Sequence, residues 1–89
     1  MKVTIDGRII TNRIQLHELF ASQLDFPETY GKNLDALYDC ITDIHKETEI
    51  EIINYEALYD NLGNYAKVLV KLLGQAEKEN KYITFSGDM

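Results

Sequence analysis

Hydrophobic and polar residues alternate from the start of the chain, where Lys2-Val3-Thr4-Ile5 runs into Asp6-Gly7. A period of two ending in such a pair predicts a short strand closed by a turn. The period then changes: Asn12 and Gln15 read as a capping box, and Leu16, Leu19, Phe20 and Leu24 carry helical spacing to about Leu24. Pro27 and Gly31 bracket a loop from Asp25 to Lys32, and Pro27 disfavours helical geometry at Phe26. Asn33 is a good N-cap for a second helix starting at Leu34, with Asp35 in the first turn where the helix dipole favours an acid. Leu34, Leu37, Ile41 and Ile44 form its apolar face, with Cys40 beside them.

After a polar connection from His45 to Thr48, Glu49-Ile50-Glu51-Ile52-Ile53 alternates and then turns apolar, as a second strand does. Asn54 is placed to cap a short helix through Leu62, with Leu58 and Leu62 inward and Gly63 ending it. Asn64 restarts a longer helix. Its stripe is Tyr65, Leu69, Leu72, Leu73 and Ala76, with Lys67, Lys71 and Lys78 toward water. Gly74 in its interior costs about 1 kcal/mol relative to alanine, so a close backbone approach is expected there. Tyr82 to Phe85 reads as a third strand, and Ser86 to Met89 as a frayed end. The order βααβααβ predicts an α/β fold: a small three-stranded parallel sheet with right-handed crossovers, covered by about four helices. Strand order does not follow from the pattern. With 45% hydrophobic residues and no internal repeat or linker, residues 1–89 are expected to form a single domain.

Charge narrows the function. A net charge of −6 and an isoelectric point near 4.7 oppose nucleic-acid binding and attraction to anionic membranes, and favour a basic partner. The N-terminal residues lack the apolar core of a secretory signal, and no run approaches the roughly 18 apolar residues of a membrane span, so a cytoplasmic location is expected. A single cysteine agrees with a reducing compartment, and Cys40 is read as a buried thiol rather than a nucleophile. His17 is read as a boundary residue hydrogen-bonded at its tip.

The second helix carries the informative chemistry. Asp35, Tyr38, Asp39 and Thr42 line the side opposite its apolar face, and Asp43 extends the acidic stripe. Asp35/Asp39 and Asp39/Asp43 are like-charge pairs one turn apart, each opposing the helix by roughly 0.2–0.5 kcal/mol, so stability alone would not select them. A solvated acidic face is the plain alternative. Tyr38 among the carboxylates favours a protein-binding surface, because an aromatic offers rigid contact area at low entropic cost. No phosphate loop, metal-ligand spacing or Ser/His/Asp arrangement is present, and Asp35 with Asp39 falls far short of the roughly six to eight oxygens calcium takes. Neither an enzyme nor a cofactor or metal is expected.

Tyr30-Gly31-x-Asn33-Leu34-Asp35-Ala36-Leu37-x-Asp39-Cys40-x-Thr42 resembles the signature of the barstar family. The likeness extends to the 89-residue length, the element order, His17, Pro27-Glu28 and Ile83-Thr84. It implies three parallel strands and four helices, and an intracellular inhibitor, monomeric when free, that binds a small, basic, secreted guanyl-specific ribonuclease of barnase type one to one. In that resemblance Asp39 takes the phosphate position against arginine and histidine, Asp35 meets a neighbouring cation, and Asn33, Leu34 and Thr42 make contacts around them. Tyr30 and Gly31 shape the adjoining loop. The surface departs from the family's namesake at Thr29, which stands where that protein has an aromatic, at Tyr38, which replaces tryptophan, at Asp43-Ile44, which replaces Gly-Trp, and at Gln75, which aligns with a glutamate. An acidic antitoxin or immunity-type module for another basic nuclease toxin is the alternative.

Overall fold

A computed structural model describes all residues from Met1 to Met89. The elements run β1 (Lys2–Asp6), α1 (Arg13–Leu24), α2 (Leu34–Thr42), β2 (Thr48–Ile53), α3 (Tyr55–Leu62), α4 (Asn64–Glu79) and β3 (Ile83–Gly87), the βααβααβ order of an α/β fold. The three strands are parallel and lie in the order β1-β2-β3, so β2 is central. Val3 pairs with Ile50 and Ile5 with Ile52, all buried, while Lys2, Thr4, Glu49 and Thr84 alternate with the buried positions and are exposed. One face of the sheet is therefore packed and the other is polar. Lys2 reaches Glu49 at 3.7 Å and Glu51 at 3.4 Å on that polar face.

Each helix buries the stripe that its spacing marks: Leu16 and Phe20 from α1, Leu37 and Ile41 from α2, Leu58 from α3, and Leu69, Leu73 and Ala76 from α4, joined by Ala66. These residues and the inward strand positions form one contiguous cluster. Removing them from water is the main favourable term, at about 25 cal/mol per Å² of apolar surface.

Five local expectations change. Asn12 Oδ1 accepts from the Gln15 N–H at 2.9 Å, but Gln15 Oε1 reaches back to the Thr11 N–H at 2.7 Å rather than to Asn12, so the reciprocal cap is shifted by one residue. Asn54 has the left-handed φ of 54° and makes no side-chain cap; its amide donates instead to Asp6 Oδ1 at 2.9 Å. The N-terminal donors of α3 go to Asp88, whose two carboxylate oxygens accept from the Asn54 and Tyr55 N–H groups at 2.8 and 2.9 Å. The expected frayed end is therefore tied down, with β3 running to Gly87 and an acid at the positive pole of α3. Gly74 has open space where a Cβ would point, so no backbone approaches it; the close approach is at Gly7, where a Cβ would meet the Leu58 backbone nitrogen at 2.6 Å.

His17 is the fifth. It is a core residue, 1% exposed, rather than a boundary one. Nδ1 bonds the Tyr30 hydroxyl at 2.6 Å and Nε2 the Tyr65 hydroxyl at 2.7 Å, joining α1, the α1–α2 loop and α4 through one ring. A neutral imidazole has one donor and one acceptor, so both nitrogens are satisfied without a proton being added. Burial, and secondarily the Lys32 charge, hold its pKa below the ordinary 6.5.

Two predictions follow from this packing. Gly74→Ala should stabilise the fold by up to about 1 kcal/mol, because nothing opposes the methyl and helical entropy favours it; a lowered denaturation midpoint would contradict the open space. With the folded pKa of His17 below the unfolded one, the unfolded state takes up its proton first as pH falls. The stability that depends on neutral His17 is thus complete above about pH 6.5 and is lost as pH drops toward the folded value. Urea midpoints of the wild type should decline from about pH 7.5 to about 5.5, whereas those of His17→Gln should stay nearly level. Asp6, whose pKa is lowered chiefly by the Asn54 amide and then by the Arg8 N–H, acts only below its ordinary 3.8 and does not enter that window.

Candidate functional site

The outward side of α2 is built from its N-terminus. Asn33, with extended φ of −137°, accepts the Ala36 N–H on Oδ1 at 2.8 Å and donates from Nδ2 to the Gly31 carbonyl at 3.3 Å. One side chain thus caps the helix and pins the loop before it. Beneath that loop Tyr30 is buried, with its ring 4.9 Å from that of Phe26 and its hydroxyl on His17. Tyr30 accordingly shapes the loop from inside and offers little outer surface. Gly31 is tight, since a Cβ there would lie 3.2 Å from Asn33 Nδ2.

At the other end, α2 stops at Thr42, earlier than the apolar spacing to Ile44 implies, and Asp43 is its C-cap. The Asp43 and Ile44 N–H groups bond back to the Cys40 and Ile41 carbonyls at 3.3 and 3.2 Å in a tightened last turn. The Thr42 hydroxyl donates to the Tyr38 carbonyl at 2.8 Å, which holds its rotamer.

Asp35, Asp39 and Asp43 are all exposed, while Leu34, Tyr38, Thr42 and Ile44 are half-buried. None of the three carboxylates has an ion-pair partner in the molecule, whose only salt bridges are those of Lys2. The helix is a ridge between two open grooves. One, of about 640 Å³ between α2 and α4, is lined by Asp35, Tyr38 and Asp39 on one side and Val68, Lys71 and Gln75 on the other. The second, of about 570 Å³, lies between α2 and the α1–α2 loop and includes Phe26, Asp39, Thr42, Asp43 and Ile44. Asp39 borders both, so it stands on the crest. Gln75 joins the site from a distant part of the sequence, whereas Thr29, Tyr30 and Gly31 line neither groove.

The chemistry available is that of an anionic contact surface. Cys40 is half-buried rather than buried, and burial, then Asp39 and Asp43, push its pKa up, which disfavours the reactive thiolate. No three His, Cys, Asp or Glu side chains converge as metal ligands. Three contributors had no clear mark in the sequence. Lys71, read simply as the wet side of α4, and Val68 both enter the first groove, and Asn80 reaches the end of α2 from beyond α4.

The profile of the family described as Barstar (barnase inhibitor) matches residues 1–86. The chain is also similar to "Putative ribonuclease inhibitor YrdF" of Bacillus subtilis (strain 168), with 38% identity over 81 residues that cover 90% of this chain and 89% of the relative. No helix is long and apolar enough to cross a membrane. The profile match over nearly the whole length and the relative's 38% identity show that this chain belongs to the barstar family.

Proposed function

We propose that this protein inhibits a small, basic, secreted guanyl-specific ribonuclease of barnase type by laying α2 across its active site in a one-to-one complex. The observation that carries the reading is the trio of exposed carboxylates Asp35, Asp39 and Asp43 without any intramolecular counter-ion, on a helix whose opposite side is locked in the core. Family membership supports ribonuclease inhibition as the activity. A ribonuclease site presents cations and hydrogen-bond donors arranged for phosphate, and a fixed carboxylate can satisfy them by charge-assisted hydrogen bonds. Asp39, on the crest, takes the phosphate position against arginine and histidine. Asp35 meets a neighbouring cation, and Asn33, Leu34, Tyr38 and Thr42 pack around the pair. Thr29 and Gly31 on the loop, Asp43 and Ile44 at the far end, and Gln75 across the groove form the rim. A net charge of −6 attracts a basic enzyme and raises the encounter rate.

Titration of a barnase-type ribonuclease should abolish RNA cleavage at one equivalent. Full activity of such enzymes at micromolar inhibitor would refute the reading, and capture of a basic nuclease of another fold would favour an immunity-type role instead.

Two substitutions test the assignment within α2. Asp39→Ala should lose about 3–5 kcal/mol of binding, because it strands desolvated cations on the enzyme, while Asp43→Ala at the rim should lose far less. Neither should lower the melting temperature, since Asp39→Ala removes both like-charge pairs and Asp43→Ala one, each pair worth roughly 0.2–0.5 kcal/mol of repulsion. Equal affinity losses, or a destabilised Asp39→Ala, would contradict the placement. Gln75→Glu should raise the association rate at low salt, the gain fading toward physiological ionic strength as screening shortens to about 8 Å. Gln75 donates to Glu79 Oε1 at 3.2 Å, so the new acid adds a like-charge pair within α4 at a small cost in stability. A stopped-flow salt series showing no gain at low salt would remove Gln75 from the interface.

A further inference from the structure

The C-terminal end of α2 has an electrostatic problem of its own. A helix leaves its last four carbonyls unsatisfied and carries partial negative charge there, and this one adds Asp39 and Asp43 with no basic residue in the last turn. The groups that answer this come from Asn80, which is 7% exposed and lies at the junction of α4 and β3. Its Nδ2 donates to the Ile41 carbonyl at 3.0 Å, to that of Thr42 at 3.3 Å and to that of Ile44 at 2.8 Å. Two N–H groups serve three acceptors, so at least one bond is shared. The rest of Asn80 is equally engaged. Its Oδ1 accepts from the Tyr82 N–H at 3.0 Å, its own N–H closes α4 on Ala76 at 2.9 Å, and its carbonyl accepts from Ile83 at the start of β3 at 3.0 Å.

We infer that Asn80 is a positioning residue for the inhibitory surface, one that ends α2 at Thr42 and fixes the direction in which Thr42, Asp43 and Ile44 leave the helix. The carbonyls it gathers belong to Ile41, Thr42 and Ile44, and the last two of these residues line the same groove as Asp39 and Asp43. Without the amide, the Thr42 and Ile44 carbonyls must recruit water or the last turn must unwind, and the far edge of the groove loses its fixed geometry. Asn80 touches no partner in this scheme. It supplies from the core the counter-dipole that the acidic stripe denies the helix. Its binding consequence rests on the proposed inhibition of a ribonuclease; its effect on the helix end does not.

Asn61 provides a matched control. Its Nδ2 makes the same kind of bonds, to the Gly7 and Ile10 carbonyls at 3.2 and 3.1 Å, far from α2 in the β1–α1 connection. In the free proteins, Asn80→Ala should accelerate hydrogen exchange of the Asp43 and Ile44 amides relative to Asn61→Ala, with Leu37 and Ile41 protected in both. Against barnase, or whichever guanyl-specific ribonuclease the wild type titrates, Asn80→Ala should dissociate about tenfold faster with little change in association rate, because all the steering charges remain. Asn61→Ala should dissociate like wild type. If Asn80→Ala does not fold, Asn80→Ser, which keeps one donor, carries the same comparison with a smaller effect. Unchanged exchange at Asp43 and Ile44 overturns the inference whatever the partner. So does faster exchange with wild-type dissociation, which makes Asn80 merely structural. Failure of the wild type to bind any ribonuclease counts against the proposed function alone, and the exchange comparison still decides whether Asn80 sets the helix end.

Discussion

Burial of Leu37 and Ile41 is the constraint on which the acidic surface depends. A nine-residue helix is marginal in water, and α2 further carries repelling carboxylates on its outward side. It exists because its inner side contributes two fully buried side chains to the common core, each worth roughly 1.5–3 kcal/mol. Capping by Asn33 and the amide of Asn80 then settle the two ends. The unfavourable charge is thus carried by tertiary packing rather than relieved locally, and the carboxylates remain free of counter-ions.

The same economy explains the surroundings. His17 holds Tyr30 and Tyr65 in one hydrogen-bonded group, fixing the loop before α2 against α1 and α4. The parallel sheet is packed on one face only, and the strand alternation that makes this possible puts Lys2 between Glu49 and Glu51 on the other. Those are the protein's only ion pairs, and they lie on a different surface from α2. The two ion-paired acids, Glu49 and Glu51, thus lie apart from the three carboxylates of α2.

Much of this was legible in the sequence because it rests on local rules. The Asn33 cap, the start of α2 at Leu34, the switch of period at Asn12 and the strand of alternating Glu and Ile all depend on neighbours within a few residues. The family resemblance lies in that same stretch. What escaped depends on partners far along the chain. Asp88 caps α3 from more than thirty residues away, Asn80 ends α2 from nearly forty, and His17 is buried because two tyrosines, one of them 48 residues distant, satisfy its ring. Gly74 misled for a different reason: glycine in a helix implies a close neighbour only where one exists, and here the neighbour is at Gly7. The grooves beside α2 arise from how α4 and the loop pack, which periodicity does not encode.

In the proposed complex the carboxylates of α2 occupy the place of RNA phosphate. Competition with a guanosine monophosphate tests it most directly, because that ligand fills the ribonuclease site with a real phosphate. Titrating the inhibitor into enzyme at increasing nucleotide should weaken apparent binding in proportion to nucleotide occupancy, and the effect should vanish at saturating inhibitor. An apparent affinity that does not change as the nucleotide fills the site, or a ternary complex of enzyme, nucleotide and inhibitor, would contradict the account.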